Sequence, residues 1–185
     1  MNRRPERSPS GPGPDRLLAI YLNDHLAGSA AGAALVRRMT RAHRGTRTGR
    51  ILDELRGQID EDRDSLRQIM ARLGVSEKRV RSMMARLGEK AGHLKPNARL
   101  VRRSPLSDVL ELEMLRLGVE GKLALWRALS ITARRDPRID GDAVGLLAVR
   151  AGRQIDALEE LRADAVARTF APPQPSPDRR RLATA

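Results

Sequence analysis

The chain has 185 residues, with 36 Lys and Arg against 23 Asp and Glu and a formal net charge of +13, which is long enough for one domain with a sizeable core. There is no cysteine, so disulfides, thiolate metal centres, iron–sulfur clusters and cysteine nucleophiles are excluded, and a reducing, cytoplasmic compartment is expected. Three aromatics, Tyr21, Trp126 and Phe170, are too few for a base-stacking platform or a typical β-sandwich core, which favours an α-helical protein.

Proline divides the chain, because its ring fixes φ and removes a donor that a helix interior needs. Residues 1–14 are basic and rich in Pro, Ser and Gly, and residues 171–185 form a Pro/Arg tail. Neither end has the apolar content to offset ordering entropy, so both are expected to be disordered around a helical domain at 15–170. The basic start lacks the apolar run and small-residue cleavage site of a secretory signal.

Within 15–170 the apolar period is helical throughout. A first helix is predicted from Asp15 as N-cap to about residue 43, and a second from about Thr48 to Leu73, with Gly74 placed to end it. Ser76 caps a third, weaker helix through Val80, Met83, Met84 and Leu87. Ser104 before Pro105 reads as an N-cap with proline at the first helical position, opening a helix to about Ala133. Asp140 or Asp142 caps the last, which runs to about Phe170. The four long helices have about 26 to 31 residues, or about 40 to 45 Å each, and matched lengths predict a bundle. Asn23, Asp24 and His25 interrupt the one long apolar stretch, Leu17 to Val36, which rules out a transmembrane span there. The small-residue run Gly28 to Ala34 predicts close helix packing in preference to a ligand cavity.

Two long helices, a long connection and a second pair of long helices resemble the ferritin-like superfamily over residues 15–170. The stretches YLNDHLAGSAAG, EDRDSL and LGVEGKLALW are also similar to those of small bacterial proteins without an assigned activity. The ferritin-like resemblance implies a crossover along the bundle. In di-iron members it also implies Glu on two helices and Glu-x-x-His on the other two. Here Glu54 and Glu61 are followed three positions on by Gly57 and Asp64, and Glu113 and Glu120 by Arg116 and Leu123. The chain therefore departs from the di-iron pattern.

Helix arithmetic places four polar residues on apolar stripes. His25 falls with Leu18 and Leu22, Asp62 between Leu55, Ile59, Leu66 and Ile69, Glu120 on the Leu110/Leu117/Ala124 side, and Gln154 with Leu147, Ala151 and Leu158. With a crossover, they lie about 12 to 21 Å from one end, within reach of a single mid-bundle layer. Three chemistries suit such a layer: a hydrogen-bonded network that fixes register, with Lys122 and the Trp126 indole as further donors; a weak Fe or Mn site; or a proton-transfer site. The network is the leading expectation, with no cofactor. Arg37, Glu54 and Glu113 are expected to form a second, ion-paired layer.

No phosphate-cradling glycine loop, His-Glu-x-x-His or Gly-x-Ser-x-Gly occurs, which argues against an enzyme. His43 and His93 read as helix-terminal or solvated. Arginines concentrate in 37–50, and nine Lys/Arg face Glu89 alone in 78–103. A crossover would bring Arg37, Arg38, Arg41, Arg44 and Arg47 to one end with Lys95, Arg99, Arg102 and Arg103. Such a basic cap predicts nonspecific attraction to DNA or an acidic surface. Polyanions and a second copy of the chain are thus the expected partners. The reading that leads is a non-catalytic or degenerate ferritin-like bundle with a structural or interaction role. A divalent-metal-binding or oxidoreductase-like bundle and a nonspecific polyanion binder are the alternatives.

Overall fold

The computed structural model describes residues 12–77 and 104–171, and every described regular element is helical. The helices are α1 (Pro14–Ala42), α2 (Arg47–Arg72), α3 (Pro105–Ala133) and α4 (Gly141–Phe170). The extra helix expected after Ser76, residues 1–11 and 172–185 of the two ends expected to be disordered, and His93, Lys95, Arg99, Arg102 and Arg103 lie outside the described residues.

Local chemistry sets the helix ends. At the start of α1 the N-cap is Gly13, with Pro14 in the first turn, so Asp15 is not the cap expected. It stands two residues further in, within the first turn, where a carboxylate still favours the positive end of the helix dipole. Thr46 caps α2, its hydroxyl accepting from the Gly49 N–H at 3.0 Å and donating to the His43 carbonyl at 2.7 Å. That turn demands glycine at 49, because a Cβ there would stand 2.1 Å from the His43 carbonyl oxygen. Gly74, at φ 69°, ends α2 in the left-handed conformation that glycine adopts without strain. Ser104 is the N-cap of α3 by position, but its hydroxyl makes no capping bond. Asp140 caps α4 by accepting from the Ala143 N–H at 3.0 Å.

Cross-helix pairs give the directions. Arg37 on α1 meets Asp60 on α2 at 3.8 Å, and His43 and Arg38 on α1 meet Asp108 and Glu111 on α3 at 3.2 and 3.1 Å. Arg47 on α2 faces Asp164 on α4 at 3.9 Å, and Arg116 on α3 faces Glu159 on α4 at 3.3 Å. Each of these helix pairs is antiparallel, so α2 and α3 run the same way, diagonally across the bundle. Residues 77 and 104 therefore stand at opposite ends. The α1–α2 and α3–α4 hairpins are the closest packed, α1 against α3 is looser, and α2 meets α4 most sparsely.

The core is a single cluster including Leu22, Met39, Leu52, Leu66, Leu112, Trp126 and Leu158. Burying each such side chain contributes about 1.5 to 3 kcal/mol. On α3 the buried face is Val109, Leu112, Leu115, Val119 and Trp126, while Leu110 and Leu117 are 52 % and 67 % exposed. The Leu110/Leu117/Ala124 stripe is thus the outer one. No described helix is long and apolar enough to cross a membrane.

Candidate functional site

Asp62 is the centre of the polar layer. It sits on the inward face of α2, 1 % exposed, between Ile59 and Leu66. Burying an ionised carboxylate is tolerable only if both oxygens are paired, and three side chains from two other helices achieve this. Lys122 of α3 donates to Oδ2 and also to the Gln154 amide oxygen. Arg150 of α4 donates through Nε to Oδ1 at 2.9 Å and through Nη2 to the same oxygen. Gln154 of α4 donates to Oδ2 at 3.2 Å and to the Gln58 amide oxygen at 3.0 Å. Arg150 then reaches outward to Glu61 at 2.7 Å. One acid, two bases and two amides thus tie α2, α3 and α4 together at one level.

Electrostatics follow from that placement. Desolvation pushes the Lys122 ammonium below its ordinary value, the adjoining Asp62 carboxylate opposes this, and nearby Arg150 adds to the depression. His25 is also lowered, by burial first, with Asp24 acting in the other direction.

Of the four residues expected to share the layer, Asp62 and Gln154 meet. His25 has the right height but packs edge-on against Tyr21, with ring centroids 4.5 Å apart. Glu120 turns outward to Arg116 at 3.4 Å, because its stripe is the solvent side of α3. Lys122 is where a network donor was expected. The Trp126 indole N–H instead finds no acceptor among the described residues, and neither does the Asn23 amide oxygen find a donor. Arg150 and Gln58 were not anticipated. Each lies four residues before a member of the layer, Gln154 and Asp62, and that spacing places both on the layer's stripe.

The second layer does not form. Arg37 pairs with Asp60, Glu113 lies 3.8 Å from Arg162, and the Glu54 carboxylate accepts from Gln58 at 3.4 Å. All three are at least partly exposed, and each is closer to a neighbour on its own or the adjacent helix than to the others.

The residues do not fit a di-iron pair. Glu54 and Glu61 are exposed, Glu113 and Glu120 half-exposed, and three of the four are matched with arginines. Among the described residues no three His, Asp or Glu side chains converge to hold a metal ion, so His25, Asp62 and Glu120 do not meet around one point with Gln154.

At the α1–α2 turn, Arg41 and Arg44 are exposed and make no ion pair within 4 Å among the described residues, whereas Arg37, Arg38 and Arg47 each have a carboxylate partner. His43 is half-buried on Asp108 and joins α1 to α3, a structural position within the helix-terminal role expected of it.

Beside the network, α1 and α3 leave an open groove of about 1040 Å³ with α2 at its floor. His25, Ser29, Asp62, Lys122 and Trp126 all border it. No family model, curated protein or solved structure matches the chain.

Proposed function

We propose that the chain is a non-catalytic, degenerate ferritin-like bundle with a structural or interaction role in the cytoplasm. The antiparallel hairpins with α2 and α3 running in the same direction support the ferritin-like part, since that topology requires one long crossover. The observation that carries the non-catalytic part is the state of Asp62. Its carboxylate is committed to an ammonium, a guanidinium and an amide, so the charge and lone pairs a cation or a transferable proton would use already hold three helices in register. A buried ionic group used in this way specifies alignment more than it adds stability.

Metal analysis of protein purified without chelator tests this directly. Substoichiometric Fe, Mn and Zn, with a melting temperature that does not move on adding Fe(II) or Mn(II), is the expected result. Stoichiometric metal that Asp62→Ala releases while the helical spectrum is retained would replace this reading with the metal-binding one.

Exposed Arg41 and Arg44 favour a second reading, attraction of polyanions to the end of the bundle holding the α1–α2 turn. Guanidinium contacts to phosphate oxygens carry no sequence information, so charge is the recognised feature in this reading.

A further inference from the structure

Gly28 and Gly32 lie one turn apart on α1, and Gly118 and Gly121 lie on α3; a Cβ built at any of the four meets nothing within 4 Å. At these glycines no described residue approaches closely, whereas Ala33 of the Gly28 to Ala34 run is fully buried in the core, so the close packing expected of the run is met at Ala33 and not at its glycines among the described residues. A glycine inside a helix costs about 0.5 to 1 kcal/mol relative to alanine. Along this seam no close contact with a described residue offsets that cost, and the space left is the groove between α1 and α3.

Its shape is elongated. Along α1 it runs from Tyr21 to Arg41, about 30 Å, and along α3 from Met114 to Trp126, about 18 Å. Its volume of about 1040 Å³ is at the upper end for small-molecule sites, which combine an apolar lining with a few convergent polar groups. Leu35, Leu115 and Leu125 supply apolar wall, and Met114 and Leu117, each 67 % exposed, form an apolar rim.

The polar groups gather toward the inner end. Lys122 and Trp126 are one turn apart on the same face of α3. Trp126 is 1 % exposed and its indole N–H has no acceptor among the described residues. An ammonium carries three N–H donors, and Lys122 places two, on Asp62 and Gln154. Arg38 and Arg63 also border the groove but are paired with Glu111 and Asp60, which leaves Arg41 as the bordering arginine with no carboxylate within 4 Å among the described residues. Two N–H donors without an acceptor, one of them on an ammonium, favour a ligand that presents a negatively charged acceptor oxygen.

We infer that the groove binds a monocarboxylate with a long apolar body. Its carboxylate accepts from the Trp126 indole N–H and the third Lys122 N–H, and its chain lies over the glycine shelves toward Met114 and Leu117. The site stands beside the register network and does not depend on the bundle being non-catalytic.

Trp126 is the one tryptophan of the chain, so its fluorescence reports on the site. Titrating the full chain with dodecanoate is expected to give a saturable change, with dodecanol at least about tenfold weaker. Gly118→Leu fills open space, leaves the Asp62 contacts untouched and should fold. It is expected to weaken dodecanoate at least about tenfold while the melting temperature holds or rises. No saturation by about 1 mM dodecanoate, dodecanol binding as tightly as dodecanoate, or a Gly118→Leu protein binding like the parent would overturn the inference. So would Gly118→Leu lowering stability without any dodecanoate binding, an outcome that assigns the groove to a protein segment, of this chain or of a second copy.

Discussion

Lys122 on α3 and Asp62 on α2 are ion-paired across the diagonal of the bundle, between helices that have α1 and α4 as their immediate neighbours. The pair spans the join between the two hairpins, where α2 meets α4 only sparsely. Its loss should therefore register on alignment of the hairpins as well as on total stability.

Asp62→Ala leaves Lys122 and Arg150 without their shared carboxylate and should cost about 3 kcal/mol or more in urea denaturation. Glu120→Ala removes a half-exposed contact with Arg116 and should stay within about 0.5 kcal/mol. Equal effects from the two would mean that Glu120 belongs to the layer after all.

That contrast also marks how far the sequence could be read. Heights along a helix depend on residue count alone, and His25, Glu120, Asp62 and Gln154 do come to a similar level. Rotation about the axis requires a clear apolar stripe. On α2, with polar residues on its outer side, Asp62 was legible as buried. On α3, Leu106, Leu110, Met114 and Leu117 form a second apolar stripe that is exposed, so nothing in the pattern distinguished it from the buried one, and Glu120 was turned to the wrong side. Four long helices, the Gly74 stop and the Asp140 cap were local signals and stood in the chain plainly. The open seam at Gly28 and Gly118 was not, because small residues fit a close contact and a cleft equally well.

The histidine beside Tyr21 should make stability acid-sensitive. Burial lowers the His25 pKa from its ordinary value of 6.5, so the unfolded chain binds the proton more readily. Its contribution is complete above that ordinary value and is lost as pH falls through it toward the folded-state value. Melting temperatures followed from about pH 7.5 to pH 5 should fall, and less steeply for His25→Gln. Parallel profiles for the two proteins would show that His25 is not the group responsible.

Two glycines of α2 should respond in opposite directions to alanine. Gly49→Ala forces a methyl group against the His43 carbonyl and should destabilise by about 2 kcal/mol or more. Gly57, exposed in the helix interior with nothing near its Cβ position, should gain about 0.5 to 1 kcal/mol as alanine. Thermal melts of the two single variants decide it, and a destabilised Gly57→Ala would indicate a close neighbour there.

If the α1–α2 end attracts polyanions, binding to random-sequence duplex DNA should weaken steeply with salt. The log–log slope should fall in magnitude by roughly 1 for each phosphate contact removed, as in Arg41→Gln and Arg44→Gln. A fluorescence anisotropy titration at several salt concentrations gives that slope. Unchanged slopes in both variants would place any DNA contact elsewhere on the chain.

Lysine is scarce in this chain, at 78, 90, 95 and 122, and Lys122 alone falls among the described residues. Its side chain is 15 % exposed and its ammonium is engaged with Asp62 and Gln154. An amine-reactive reagent captures that nitrogen only through its lone pair, which forms when the N–H not bonded to Asp62 or Gln154 loses its proton. Acylation of Lys122, followed by peptide mass spectrometry, would then act as a clock for access to the groove. It times that access through a single atom, with no label added to the protein beforehand.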